Sequence, residues 1–535
     1  MKHETEEYTE IHIEDDAKPR RHIAFRILMW LLLAIGILAL YMLIWSLNEY
    51  GQVPFAQVMF HLMVPLEGAG NDIVTDCVLG FVKVAVAPLA LWAVLLVKLP
   101  WKRNAILRRV TRGVVIVFDV AVIVVAWNVL GLTEYLKDQM NPTTIYEDYY
   151  VDTGSTEITF PSEKKNLIYI YLESMEVSFT SEELGGALEV NHIPELSELS
   201  LVYEDFSGTY MSMDDAVQLV ESGGMSPIFK LNGACTTTGA TWTVGAMVAQ
   251  TAGIPLSIPV NVNSYGRYAT FLPGATTLGD ILEEEGYTQM IMMGSKASFG
   301  GRDDYFTQHG NYFLYDYTYA VNIGKIDSEY YVNWGYEDEK LFAYAKEELE
   351  ELSSEEEPFN LTLLTVDTHF PSGYRCELCE NTFGVDMEDS IACSSRQVAE
   401  FVSWIMEQDF YEDTVIILAG DHPNMGNVMK DAIGDEDYLR TTNFIVINGQ
   451  PAATGAYTGS EEGTNLYGTF RTYTTMDLFP TTLAAMGCTF EGDRLGLGTS
   501  LYSGRETLVE ELGLEVLDEE LAKTSRFYNS KLLQE

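Results

Sequence analysis

Hydrophobic residues fall into two regimes along this chain. In residues 1–135 they gather into three long stretches, roughly Ile27–Leu47, Val78–Val97 and Gly113–Thr133. Each is long enough to span a bilayer. Beyond Glu163 the apolar runs shorten, and strand-like segments alternate with helix-like ones. The strands expected are Asn166–Leu172, Thr288–Met293, Asn360–Val366, Thr414–Ala419 and Phe444–Ile447. The helices expected are Thr277–Glu285, Glu337–Leu352, Ser395–Glu407 and Thr475–Met486. This alternation predicts an α/β domain whose mostly parallel sheet is covered by helices on both faces.

Charge orients the membrane region. Lys18, Arg20, Arg21 and Arg26 precede the first stretch; Lys98, Lys102, Arg103, Arg108, Arg109 and Arg112 separate the second from the third. The loop Asn48–Asp76 has no Lys or Arg but carries Glu49, Glu67, Asp72 and Asp76. The positive-inside rule then places the N-terminus inside and everything after Thr133 outside. The first stretch is too long for a signal-peptide core and no small-residue cleavage site follows it, so it is expected to be retained. Val53–Leu66 is apolar but too short to span, which predicts a re-entrant or interfacial segment near where a lipid would sit. Lys83 and Asp119 lie inside spans at different depths, so snorkelling or helix packing is expected rather than a direct pair. The expected divisions are residues 1–135 in the membrane region, a polar Tyr-rich linker at 136–162, a catalytic domain at 163–507 and a solvated acidic tail at 508–535.

The net charge of −47 excludes nucleic acid as a partner, because phosphate backbones need a basic face. An anionic substrate must be held by local cations. Six cysteines are present. Cys77 lies at a span boundary, and Cys235 and Cys488 are isolated. Cys376, Cys379 and Cys393 cluster. Three such thiols form part of a zinc set, but no fourth ligand lies nearby, and outside the cell a disulfide with one thiol left over is the expected use.

Chemistry is expected where the strands end. Asn166–Leu172 runs into Glu173-Ser174, and Thr414–Ala419 runs into Gly420-Asp421-His422. Carboxylate and imidazole groups at the carboxyl ends of strands suit a metal centre for phosphate or sulfate chemistry. Thr236, Thr237, Thr238, Thr241 and Thr243 lie in a Gly-punctuated stretch. Threonines of this kind also serve turn chemistry, but one bound to a dication becomes a nucleophile. Strand Asn360–Val366 leads to Asp367-Thr368-His369, and Thr288–Met293 leads to Lys296 and Arg302. Arg302 suits a phosphate, Lys296 adds charge, and His369 is placed to protonate a leaving alkoxide or to hydrogen-bond a phosphoryl group.

With these residues in place, the chain resembles the phosphoglycerol transferases of the alkaline phosphatase/sulfatase superfamily. The likeness is nearer to those of osmoregulated periplasmic glucan synthesis than to the lipoteichoic acid synthases. It is carried by NLIYIYLES (Asn166–Ser174), TWTVGAMVAQTAGIPL (Thr241–Leu256), TTLGDILEEEGY (Thr276–Tyr287), LTVDTHFPSG (Leu364–Gly373), DTVIILAGDH (Asp413–His422) and LGLGTSLYSG (Leu495–Gly504). The resemblance implies an extracytoplasmic sulfatase-like domain on a multi-pass membrane anchor. It implies one divalent metal on Glu173, Thr243, Asp421 and His422, Mn2+ first, with Zn2+ or Mg2+ as alternatives. Thr243 would be the nucleophile toward phosphatidylglycerol, with Arg302 and His369 holding the glycerophosphate. The acceptor would be a glycan or a polyglycerophosphate. Phosphoethanolamine transfer or sulfatase/phosphatase-type hydrolysis is the alternative activity, although no Cys/Ser-x-Pro/Ala-x-Arg motif lies near Thr243. Three features depart from the family. Gly300 stands where lipoteichoic acid synthases have a Trp, and Thr241 competes with Thr243. The family's Cys pair matches Cys379 and Cys393 best, leaving Cys376 as the extra thiol.

Overall fold

The computed structural model describes residues 17–50, 55–63, 71–98, 104–222, 230–258, 270–434, 437–451 and 469–534. Val53, Pro54 and 64–66 of the short apolar segment lie outside these, as do Glu67, Lys102 and Arg103 of the membrane loops. The chain forms two compact units, 1–47 with 72–130, and 48–71 with 131–535.

The first unit is built from α1 (Ala17–Tyr50), α3 (Asn71–Lys98) and α4 (Ala105–Val129). All three are long and apolar enough to cross a membrane. Small residues let them approach. A Cβ on Gly36 would meet Asp119 Oδ1, and one on Gly80 would meet the Tyr41 hydroxyl. Asp119 thus lies against Gly36, while Lys83 is exposed.

The described part of the short apolar segment between the first two spans is helical. It forms α2 (Phe55–Met63), which groups with the outer unit. Phe60 is fully buried, with its ring 5.7 Å from Trp242, and Gln57 Nε2 donates to Met425 Sδ at 3.7 Å. Its apolar face packs against protein.

The outer unit is organised around one seven-stranded sheet. Its strands are β1 (Asn166–Leu172), β2 (Gly233–Cys235), β3 (Thr288–Met293), β4 (Phe313–Tyr315), β5 (Phe359–Leu364), β6 (Thr414–Gly420) and β7 (Thr441–Ile447). They lie in the order β2-β7-β6-β1-β5-β3-β4. β6, β1, β5, β3 and β4 run parallel, and β7 is antiparallel to both its neighbours. In β1, Leu167, Tyr169 and Tyr171 pack into one core, whereas Ile168, Ile170 and Leu172 pack into a second on the opposite face. β6 divides in the same way, Val415, Ile417 and Ala419 against Ile416 and Leu418. Continuous apolar runs are what a sheet buried on both faces requires. The covering helices include α5 (Thr243–Ala252) and α6 (Asp386–Met406). The latter starts well before the expected Ser395, because Met387 and Ile391 extend its apolar face.

Two peripheral segments are more ordered than expected. Pro142–Thr143 pairs with Thr524–Ser525, and Ile158–Thr159 pairs with Thr489–Phe490, so 136–162 is stitched into the outer unit. The acidic tail is likewise packed. Leu508, Leu517, Leu521, Tyr528 and Leu532 are buried, and the Tyr528 hydroxyl donates to Pro255 O at 3.1 Å. Its acidic composition conceals an apolar face that recurs at helical spacing.

Candidate metal centre

Two strand ends and one helix start meet at a buried cluster. Glu173 follows β1, and Asp421 and His422 follow β6. Their ligand atoms lie within 4.8 Å of one another, and all three side chains are buried. Thr243 opens α5, with Oγ1 3.5 Å from Glu173 Oε2 and 3.4 Å from His422 Nε2. Thr243, rather than Thr241, therefore lies against the carboxylate and the imidazole.

Local structure fixes these positions. Ser174 adopts φ 53°, a left-handed turn that ends β1 and lets its hydroxyl donate to Glu173 Oε1 at 2.8 Å. The Glu173 amide donates to Thr365 Oγ1 at 2.9 Å, and the Thr368 hydroxyl donates to the Glu173 carbonyl. Gly420 must be glycine, since a Cβ there would lie 2.1 Å from Met175 O. α5 is tied to β6 by Gln250, which donates to Gly420 O at 3.1 Å and accepts from the Tyr169 hydroxyl at 2.8 Å.

The electrostatics call for a cation. His422 Nδ1 faces the Pro423 carbonyl at 3.0 Å, and a carbonyl only accepts, so Nδ1 carries a proton. In the neutral ring the Nε2 lone pair then points at Asp421 Oδ2 (3.4 Å) and Glu173 Oε1 (3.8 Å). Asp421 Oδ1 accepts from the Ser174 and His422 amides, each at 2.7 Å, while the buried Oδ2 has no hydrogen-bond partner. Burial, and then the Glu173 charge, push the Asp421 carboxyl up to about 7. For His422 burial acts downward, but Asp421 and Glu173 outweigh it and raise the imidazole. Two carboxylates, a lone pair and a hydroxyl converging on one point fit a hard or borderline divalent metal.

The remaining expected residues flank this cluster. Arg302 is buried, and its Nη2 donates to Ser295 Oγ (3.1 Å) and Lys296 O (2.8 Å). Its Nε has no partner. Burial lowers the guanidinium to about 10, against the raising effect of Glu173 and other carboxylates. Lys296 thus contributes through its backbone carbonyl. His369 is partly exposed, between Trp334 (ring centroids 4.5 Å) and Phe370 (4.6 Å). Its Nδ1 donates to the Phe370 carbonyl at 2.6 Å, and burial lowers it to about 4. It is therefore a neutral ring whose Nε2 accepts hydrogen bonds. Gly300 has φ +72°. The aromatic surface near Arg302 comes instead from Phe299 and Trp334, whose rings are 5.1 Å apart.

Sequence reasoning missed the supports of the loop after His422. Glu176 is fully buried, accepts from the Asn424 amide at 2.7 Å and is clasped by Arg440 through Nε (2.8 Å) and Nη2. Arg440 also donates to Asn424 O at 2.8 Å. Glu176, three residues after Glu173, was the available signal.

A family model described as Sulfatase matches residues 257–488, which include Arg302, His369, Asp421 and His422. Phosphoglycerol transferase I of Xanthomonas campestris pv. campestris (strain B100) is 28% identical over 445 residues, 77% of this chain and 57% of that protein. Phosphoglycerol transferase I of Escherichia coli (strain 55989 / EAEC) is 30% identical over 403 residues, 73% of this chain and 45% of that protein. The chain thus spans about half the length of these curated relatives. Among solved structures, the lipoteichoic acid synthase LtaP from Listeria monocytogenes is 18% identical with TM-score 0.44, over 65% of this chain and 79% of that one. The lipooligosaccharide phosphoethanolamine transferase A from Neisseria meningitidis is 13% identical with TM-score 0.48, over 87% and 84%. By its sequence relatives and its mostly parallel sheet, the chain belongs to the alkaline phosphatase/sulfatase superfamily, in the family that includes phosphoglycerol transferase I.

Proposed function

We propose that this protein is a membrane-anchored, metal-dependent phosphotransferase. It moves a glycerophosphoryl group from phosphatidylglycerol to a glycan or polyglycerophosphate acceptor outside the cell. The observation that carries the reading is the Thr243 hydroxyl, held against Glu173 and His422 at the start of α5. The first-turn amides of α5 carry no side-chain cap, so the positive end of the helix is available to an anion at Thr243.

A divalent metal on Glu173, Thr243, Asp421 and His422, manganese before zinc or magnesium, would acidify the hydroxyl and polarise the phosphoryl oxygen. Thr243 Oγ attacks phosphorus, and the bond from phosphorus to the diacylglycerol oxygen breaks. The proton given up by the Thr243 hydroxyl is replaced through solvent on the departing oxygen, and diacylglycerol leaves as the alcohol. The glycerophosphoryl group stays on Thr243 until an acceptor hydroxyl displaces it. Arg302 holds the phosphoryl oxygens. His369, a neutral ring beside the cluster, accepts a hydrogen bond from the incoming hydroxyl and orients it, and the proton passes to solvent as the new bond to phosphorus forms.

Detergent-solubilised protein, fluorescent phosphatidylglycerol and Mn2+ provide the test. Diacylglycerol release should vanish in Thr243→Ala with the fold intact, and persist in Thr241→Ala. Release that survives Thr243→Ala but not Thr241→Ala would reassign the nucleophile. Turnover of phosphatidylethanolamine or a sulfate ester, with none of phosphatidylglycerol, would overturn the substrate.

A further inference from the structure

A second cluster lies away from the metal centre. Cys376 and Cys379 follow the His369 turn, and Cys393 lies in the second turn of α6. All three are free thiols, so the Cys379–Cys393 disulfide implied by the family resemblance is not formed. Cys376, expected to be the extra thiol, is the centre of the group. Its Sγ is 3.6 Å from that of Cys379 and 3.7 Å from that of Cys393. All three sulfurs lie within 4.8 Å of one another.

This spacing matches a metal site. Sulfurs about 2.3 Å from a tetrahedral zinc ion are about 3.8 Å apart along each edge. Side-chain donors face the sulfurs. Gln397 Nε2 donates to Cys393 Sγ (3.4 Å) and Cys376 Sγ (3.7 Å), and Arg396 Nη2 donates to Cys393 Sγ (3.6 Å). A disulfide would use two of these sulfurs and waste the convergence of the third. We propose that Cys376, Cys379 and Cys393 form a three-thiolate site for Zn2+ whose fourth position is left to solvent beside the partly exposed Cys379.

The site would act on a particular stretch of chain. From His369 to Cys376 the backbone is folded back on itself, with Gly373 N donating to His369 O (3.1 Å) and Tyr374 N to Asp367 O (2.7 Å). A Cβ on Gly373 would lie 3.0 Å from Ser390 Oγ on α6. Zinc would pin this turn to α6 and hold His369 in place.

The test uses the full chain in detergent, reduced and metal-free, titrated with Co2+. Cobalt on thiolates gives intense sulfur-to-metal charge-transfer absorption in the near ultraviolet, which oxygen and nitrogen ligands do not give. We expect one equivalent of Co2+ to raise this band and Zn2+ to abolish it. The band should be lost in Cys376→Ser and Cys379→Ser but kept in Asp421→Asn, which separates this site from the other centre. Absence of the band in folded wild-type protein overturns the proposal, whatever the variants do. So does a band that persists in folded Cys379→Ser.

Discussion

Replacing Arg440 with methionine should strand a buried carboxylate. Glu176 is wholly buried and Arg440 is 19% exposed, and the guanidinium meets both carboxylate oxygens. Removing one partner of a buried pair costs roughly 3–5 kcal/mol, because the other charge stays desolvated. Glu176 would keep the Asn424 amide and the Ser178 hydroxyl, both at 2.7 Å, which places the loss near the lower end, about 3 kcal/mol. Glu176→Gln in the same background removes the stranded charge, so the double variant should recover much of that loss. The coupling energy expected from the cycle is about 2–3 kcal/mol. The assay is urea unfolding of the detergent-solubilised chain, followed by tryptophan fluorescence. The same clasp sets the loop Asp421–Asn424, so Mn2+ affinity of Arg440→Met should fall about tenfold. A loss below about 1 kcal/mol, or strictly additive single variants, would show that the pair does not anchor the loop.

Asp421→Asn puts an amide where an unpartnered carboxylate oxygen points, and calorimetric Mn2+ titration should show at least a tenfold weaker site; unchanged affinity would remove Asp421 from the ligand set. Gly300→Ala forces a side chain at φ +72° to within 2.9 Å of Val244 Cγ2, costing about 1–2 kcal/mol in thermal unfolding. Because Val244 follows Thr243, turnover should fall further than stability does. Burial raises Asp205 to about 7 and Asp477 to about 6, so the folded state binds those protons more tightly than the unfolded chain. Stability contributed by these groups must fall as pH rises from the ordinary carboxylate range to about 7, and metal-loaded protein should melt higher at pH 6 than at pH 8. Burial opposes it, but Arg471 holds Glu510 below its usual value, and that contribution is lost only in stronger acid. A higher melting temperature at pH 8 would refute this.

Much of the sheet was legible because its strands are apolar on both faces, and a two-sided burial leaves little ambiguity in runs such as TVIILA. Glu173, Asp421 and His422 were legible because each interrupts such a run at its carboxyl end. α5 was harder to see. Thr241-Trp242-Thr243 reads as turn chemistry, and its helical character depends on burial of every residue from Val244 to Ala252. The docking of α2 on the outer unit was not legible, because apolar composition does not record which partner, such as Trp242, a short helix meets. The Arg440 clasp and the central position of Cys376 join residues far apart in the chain, which no local pattern records.

The strand order also bears on how the protein is made. β1 is the first strand of the sheet to be synthesised and it ends in the middle. Leu167 pairs with Asn360 on one side and Val415 on the other. At about 5–20 residues per second, both edges of β1 stay open on the order of ten seconds or more. An apolar strand with two open edges is a template for the wrong partner. Delivery of this domain across a membrane therefore requires the nascent segment around Glu173 to be shielded until β5 and β6 arrive, and expression hosts that supply such holding factors should yield the most folded enzyme.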